Sequence, residues 1–466
     1  MGASTHLVDD LCKALWSVER EYGLLDFEVN GVKVWQYMRI PVYYHIAERS
    51  GVFLAPHVQK KGHLSKVTKA YRYLVGALFH NPFFRRGQVG QVIIEHPRSL
   101  RLADEEIDIY SHFYVRELQR QGVPYLRLDR ADLGSAHRKT YDPARSFMDI
   151  FPILVKLAGL FRRTRLTEEQ RDTLRAVSEQ LSRQLGVPLD LEALLRPAVL
   201  KFQVNYRLYR ALFGRLKPKR LVVVVSYAYG DAIRAAKDLG IEVVELQHGT
   251  FSRYHLGYSY PDTNSAPDYF PDVFMAWGSF WRDMGVLPLP PEAIRITGFP
   301  YFHGLRNRHA QAEKNARRVV VLSQGALGVK IAEQVYALRE VLRDFEIVYK
   351  LHPGEFARWQ EYQPLRKLAG QPNVRIAKDD NLYELLAGAG YQIGVFSTAV
   401  YEGIGFGCRT LLLDLPGVEY MADLVDQGLA TLVRDPDELR VALERGGQAE
   451  GFDPEAVFGQ DAGVPT

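Results

Sequence analysis

Three short apolar runs, Glu346–Leu351, Tyr391–Phe396 and Thr410–Leu413, have the length and β-branched content of buried strands. Between them, Leu382–Ala387 and Thr398–Phe406 place apolar residues at helical spacing. Alternation of this kind predicts a parallel sheet covered by helices. The same pattern occurs earlier. Val92–Ile94, Pro124–Leu128, Leu221–Val225, Glu242–Leu246, Val273–Trp277 and Arg295–Thr297 read as strands, and Asp108–Gln121 and Asp231–Leu239 as helices. A fresh strand opens at Val319–Leu322, and Phe147–Phe213 is mostly helical, with a capping box at Thr167-Glu168-Glu169-Gln170. Near the start, His6–Tyr22 has helical spacing. Phe27–Trp35 reads as two strands about Asn30-Gly31, a hairpin signal, and Val34–Ala47 as a helix interrupted at Pro41.

These elements predict an α/β chain of two Rossmann-like parallel-sheet domains facing a cleft. A small N-terminal α+β cap and basic helical region fills residues 1–88, the first sheet domain 89–300 and the second 301–445, with a helical insertion over 147–213. Gly298-Phe299-Pro300 reads as the crossing point between domains. Residues 446–466, rich in Gly, Asp and Pro, read as a flexible tail. A length of 466 residues accommodates this plan.

Composition narrows the setting. No apolar run approaches the ~18–20 residues that cross a bilayer. Met1–Asp10 lacks a basic segment followed by an apolar core, and Cys12 and Cys408 stand alone and far apart. Together these predict a cytoplasmic chain in a reducing compartment. The net charge of +4 is unevenly spread. Ser50–Ile94 contains no acidic residue but holds Lys60, Lys61, Lys66, Lys69, Arg72, Arg85 and Arg86, interleaved with Tyr71, Tyr73, Phe79, Phe83 and Phe84. Such a segment fits an anionic membrane surface at the inner face, or a solvated basic face over a core. No nucleic-acid partner is expected.

Candidate chemistry gathers where strands end, the edge at which parallel sheets bind ligands. Lys350, His352 and Pro353 follow one strand; Ser397 and Thr398 follow the next and open a helix whose first N–H groups suit a phosphate. They would equally serve as an N-cap, which uses the same groups. Glu402, one turn on, could reach a ribose diol, and Ser323-Gln324 ends a strand at the same level. In the first sheet domain, Gln247-His248-Gly249 places an imidazole at the cleft, as a base or a brace for a leaving group. Tyr254, His255 and Tyr258 follow and suit stacking on an acceptor sugar, or loop packing. Glu95 and Asp231 are rival carboxylate bases. There is no P-loop, no H-E-x-x-H and no paired C-x-x-C, and Gly388-Ala389-Gly390 precedes a strand where a dinucleotide fingerprint would follow one. Asp435-Pro436-Asp437 reads as a helix cap rather than a metal site, so no metal ligands are assigned.

Three segments, E-L-Q-H-G-T at Glu245–Thr250, K-L-H-P-G-E at Lys350–Glu355 and F-S-T-A-V-Y-E-G-I-G-F-G at Phe396–Gly407, together with I-T-G-F-P at Ile296–Pro300, resemble the GT-B glycosyltransferases of bacterial capsule and lipopolysaccharide synthesis. The likeness is to the group of Kdo transferases, bacterial sialyl- and polysialyltransferases and CDP-glycerol glycerophosphotransferases, and covers roughly Leu221–Leu432. It implies a metal-independent glycosyltransferase without a cofactor, with His352, Ser397 and Thr398 on the phosphate of a nucleotide-sugar donor. The 301–445 domain would then hold the donor and the 89–300 domain a glycan or lipid-linked glycan acceptor. The acidic-acidic-Gly base motif of the sialyltransferases has only a positional counterpart in Glu95-His96-Pro97. Two other readings share the architecture: a nucleotide-sugar 2-epimerase, similar over Ser397–Gly403, and a non-catalytic partner in polysaccharide assembly.

Overall fold

The computed structural model describes residues 7–50, 66–96, 100–102, 105–129, 142–263, 266–325, 327–444, 453 and 455–460. The opening hairpin pairs β1 (Glu28–Val29) with β2 (Val32–Lys33), and both turn residues are left-handed, Asn30 at φ 51 and Gly31 at φ 81. That is the turn an Asn-Gly pair favours, because its twist matches that of the strands. The following helix, Val34–Arg49, runs through Pro41 without a break. Lys60 and Lys61 of the basic segment lie outside the described residues.

The first sheet is built from β3 (Gln91–Ile94), β6 (Tyr125–Asp129), β7 (Arg145–Phe147), β8 (Arg220–Val223), β9 (Glu242–Leu246), β10 (Val273–Ala276) and β11 (Ile294–Ile296). A separate antiparallel pair, β4 (Leu100–Leu102) and β5 (Glu105–Ile107), lies in the loop after β3. The sheet order is β11-β10-β9-β8-β3-β6-β7, all parallel. The chain starts in the middle, winds outward one way, returns, and winds outward the other way. The place where it reverses lies between β3 and β8.

The second sheet repeats the plan with β12 (Asn315–Leu322), β13 (Glu346–Lys350), β14 (Val374–Ala377), β15 (Ala389–Gly394), β16 (Arg409–Leu413) and β17 (Thr431–Val433). Its order is β14-β13-β12-β15-β16-β17, again all parallel, with the reversal between β12 and β15. Both sheets thus have the doubly wound order in which ligands bind at the reversal. The β-branched runs are buried on both faces, as Val319, Val320 and Val321 show.

The cap and the helical insertion share one core. Val8, Leu11 and Leu15 of the helix Leu7–Glu21 meet Leu174, Val177 and Leu181 of the helix Glu168–Leu185, and Trp35 and Phe202 complete the cluster. Thr167 and Gln170 form the expected capping box. The insertion continues as a long helix, Leu191–Leu216, that also packs on the helix Gly230–Lys237 of the first domain.

Three elements depart from the pattern read along the chain. The helix expected from Asp108 starts at His112, with Ser111 at its N-cap, because buried Asp108 holds a turn ahead of it: its carboxylate accepts from Tyr110 N, Ser111 Oγ and His96 N. A helix, Pro300–Arg308, begins directly at the domain crossing. The expectation of a flexible tail fails for Glu455–Phe458. That helix packs on Ser279–Asp283 of the first domain and on Thr398–Gly405 of the second. Trp281 Nε1 donates to Val457 O at 2.6 Å, and the Phe458 ring stacks on Phe302 at 4.0 Å. Gly278 is needed at this contact, since a Cβ there would fall 2.1 Å from Ala456 O. As a result one apolar core runs from Phe251 and Trp277 of the first domain into Val319 and Tyr401 of the second.

Candidate active site

At the reversal of the second sheet, β12 exits into Ser323-Gln324 and β15 into Phe396-Ser397. The Gln324 amide bridges the gap: its Nε2 donates to Phe396 O and its Oε1 accepts from Phe396 N at 3.3 Å. Ser323 is buried, its Oγ 3.4 Å from Tyr349 Oη. Ser397 sits at the N-cap of the helix Thr398–Gly405 in extended conformation, with no cap bond from its side chain. The first N–H groups of a helix carry partial positive charge, and here Val400 N donates to Ser397 O at 3.1 Å. Gly403 lets this helix lie on β15, because a Cβ there would fall 2.0 Å from Oε1 of the buried Gln392. Glu402, one turn on, accepts from Tyr383 Oη at 3.2 Å.

The adjacent strand β13 delivers His352. Its Nδ1 accepts from Gly354 N at 3.1 Å, and its own N–H donates to Glu355 Oε2 at 2.9 Å. Pro353 opens the short turn that makes these bonds. With Nδ1 accepting, the hydrogen of the neutral ring resides on Nε2, a donor suited to a phosphate oxygen. The ring lies against Gly325, where a Cβ would stand 3.0 Å from Nδ1, so β12 and β13 jointly frame it. Lys350 is turned elsewhere: its Nζ donates to Lys378 O at 2.6 Å, and partial burial lowers its pKa.

The first sheet presents a second cluster at its own reversal. His96 follows β3, Tyr227 follows β8, and His248 follows β9. The His96 and His248 rings stack with centroids 5.9 Å apart, and Tyr227 Oη lies 3.3 Å from His248 Nε2. Tyr258 Oη lies 3.2 Å from His248 Nδ1 and donates to Glu245 Oε1 at 2.6 Å. One hydroxyl hydrogen cannot serve both partners. With Tyr258 donating to Glu245, Nδ1–H donates to Tyr258, and Nε2 keeps the lone pair. Burial, with His96 and His255 adding, lowers His248 to about 3, so its ring is neutral at pH 7. Glu245 is fully buried, and burial pushes its carboxyl up to about 7 against the bonds from Ser226 and Tyr258.

The remaining candidates fall into two groups. Tyr254 and His255 line a cavity of about 190 Å³ between the domains, together with Tyr43 and Tyr44 of the cap and Ser397, Tyr401 and Tyr420 of the second domain. Burial lowers His255 to about 4. Glu95 and Asp231 stand apart from this cavity. Glu95 is fully buried between Arg127, with Nε at 2.9 Å, and Arg145 at 3.2 Å. Asp231 is buried and accepts from Asn205 at 2.8 Å and Tyr37 at 3.2 Å, tying the cap to the first domain. Asp435 Oδ1 accepts from Asp437 N and Glu438 N, which makes it the helix cap.

Glu245, Tyr227 and the cap tyrosines were not singled out from the sequence. The cap earns its place through Arg39, which is buried, pairs with Glu19 at 2.6 Å and donates at 2.6 Å to both Leu256 O and Ser259 O. That guanidinium fixes the loop carrying Tyr254, His255 and Tyr258. The sequence signal for Glu245 was a carboxylate between Val244 and Leu246 in a strand, at the head of the E-L-Q-H-G-T segment.

Two doubly wound parallel sheets in series, with one apolar core between them and the helix Glu455–Phe458 returning to the first domain, make this a GT-B architecture. No protein-family model matches the chain, and no curated protein sequence does. Among solved structures it is similar to UDP-GlcNAc 2-epimerase from Methanocaldococcus jannaschii, with 12% identity, 81% of this chain and 97% of that one covered, and a TM-score of 0.46. UDP-GlcNAc 2-epimerase from Neisseria meningitidis bound to UDP-GlcNAc gives 12%, the same coverages and 0.45. MurG from Acinetobacter baumannii also gives 12%, 81%, 97% and 0.45.

Proposed function

We propose that the protein is a glycosyltransferase that moves a sugar from a nucleotide-activated donor to a glycan or lipid-linked glycan acceptor. The observation that carries this reading is the aromatic cavity between the two sheet domains, which Thr250 and His255 beyond β9 line from one side and Ser397 beyond β15 from the other. At the strand ends of the second sheet, His352 and the helix opening at Thr398 would meet a phosphate; at those of the first, His248 is a neutral imidazole beside the buried carboxyl of Glu245.

In this reading the N–H groups at Thr398 and the Nε2–H of His352 meet the donor phosphates, and Glu402 faces the ribose. Charge that develops on the departing nucleotide is met by donors already in place, where such sites gain most. Across the cleft His248 Nε2 accepts the acceptor hydroxyl's proton. Its Nδ1 hydrogen moves to Tyr258, and the Tyr258 hydrogen to ionised Glu245, so no charge is stranded. Glu245 is then the positioning residue that lets a weakly basic imidazole work. Glu95 and Asp231, fully engaged by arginines or by the cap, act as structural carboxylates.

The test is thermal stabilisation of the protein by CMP, CDP, UDP, GDP and TDP, followed by incubation with the matching nucleotide sugar. A ligand bound to the folded state alone adds ~2.7 kcal/mol at a hundredfold excess over its dissociation constant. His352→Ala is expected to lose the stabilisation and slow turnover by ~10²–10³. No response to any nucleotide would overturn the donor site. An epimerised sugar formed without acceptor would overturn transfer in favour of epimerisation.

A further inference from the structure

The helix Ile150–Phe161 reads I-F-P-I-L-V-K-L-A-G-L-F, with Lys156 its one charged residue. A helix apolar on every side belongs in a core. Here Phe151 is buried in the first turn, but Leu157, Leu160 and Phe161 are exposed, Leu160 by 74% and Phe161 by 86%. They stand at i, i+3 and i+4, hence on one stripe. The helix Lys66–Phe79 packs beside it and repeats the arrangement. Its Tyr71, Leu74 and Leu78, at i, i+3 and i+7, are exposed too, Tyr71 by 66%. Two neighbouring helices thus turn apolar stripes to solvent, a concentration that isolated surface hydrophobics do not produce.

The surrounding charge has a single sign. Ile150–Arg165 holds no acidic residue, and Lys156, Arg162, Arg163 and Arg165 are all exposed. The second helix lies in the stretch Ser50–Ile94, which has no acidic residue either. In a twofold dimer this face would meet itself and bring like charges together. A layer of phosphates over an apolar interior answers both features at once.

We propose that these two helices form a knuckle that seats the protein on an anionic phospholipid bilayer. The leucines and Phe161 enter the boundary between headgroups and acyl chains, and Arg162 and Arg163 stay at phosphate level. This rests on the surface alone and stands whether or not the cleft transfers sugars.

The test is flotation of the full chain with vesicles of phosphatidylglycerol and phosphatidylcholine, and with phosphatidylcholine vesicles alone. The wild type is expected to float with the anionic vesicles and not with the neutral ones. The double variant Leu160→Asp with Phe161→Asp should lose at least tenfold in vesicle affinity, with its unfolding temperature unchanged because both positions are exposed. Arg162→Gln with Arg163→Gln should weaken binding by about thirtyfold. Equal binding to both vesicle types, no binding to either, or undiminished binding by the Asp variant would overturn the proposal. So would sedimentation that shows a wild-type dimer which the Asp variant dissolves, because the face would then be a contact between copies.

Discussion

Replacing Glu245 with Gln removes a titrating group and leaves its shape. The folded protein holds the Glu245 carboxyl at about 7, against an ordinary value of 4.5. At pH 4.5 and below, the folded and unfolded chains both carry the proton, so the group adds no pH dependence. Between pH 4.5 and 7 the unfolded chain releases its proton and the folded one keeps it, so stability falls by ~1.4 kcal/mol per pH unit. Above pH 7 both are ionised, and the full loss of about 3 kcal/mol is in place. Gln never ionises. Relative to the wild type, Glu245→Gln should therefore gain about 3 kcal/mol between pH 4.5 and pH 8.5. Urea unfolding followed by tryptophan fluorescence reads this difference, and all other titrating groups cancel in it. The kinetic counterpart has the opposite sense. The relay needs ionised Glu245, so wild-type kcat/KM should rise with pH through about 7, and the variant should be slow and lack that limb. Stability curves that run parallel for the two proteins across this range would refute the reasoning.

Three further substitutions test the framework around the site. Arg39→Met leaves Glu19 charged and buried and two loop carbonyls unpaired, and should cost about 3–5 kcal/mol in urea unfolding. Gly403→Ala drives a methyl into Gln392, which is buried and holds Val400 O and Thr410 Oγ1 at 2.7 and 2.8 Å, so calorimetry should show about 1–3 kcal/mol lost. Phe458→Ala empties a buried aromatic site against Phe302 and should cost about 3–5 kcal/mol by denaturant titration.

Much of this fold is legible along the chain because central parallel strands are buried on both faces. The apolar run Val319–Leu322 is the fully buried end of β12. The edge strands β14 and β17 were not legible. V-R-I-A at Val374–Ala377 is only half covered, so it carries a polar residue and lacks the continuous run. The places of Ser323, Gln324, His352, Ser397 and Thr398 at strand ends were readable because they follow apolar strand runs at short intervals. His248 was found in the same way. Tyr258 was read only as a stacking or packing residue; its tie to Glu245, like that from Arg39 to Leu256, was not legible, because tertiary contacts set both. The short helix Glu455–Phe458 escaped for a related reason. Four residues do not make a stable helix alone, and only the pocket formed by Trp277, Trp281 and Phe302 gives them a fixed place.

That returning helix changes how the cleft can move. The chain crosses between the sheet domains once at Pro300 and again where Glu455–Phe458 docks, with Gly298 pressed to 2.5 Å from Gln460 O for any Cβ it might carry. Two lobes tied by a single strand of chain could swivel like a ball in its socket. Tied at two points, with Arg253 also paired to Asp423 and Asp426 across the gap, they are restricted to turning about the line through both ties, as a book opens along its spine. A ligand held on one page would then approach the other page along one arc, and every closure would repeat the same approach.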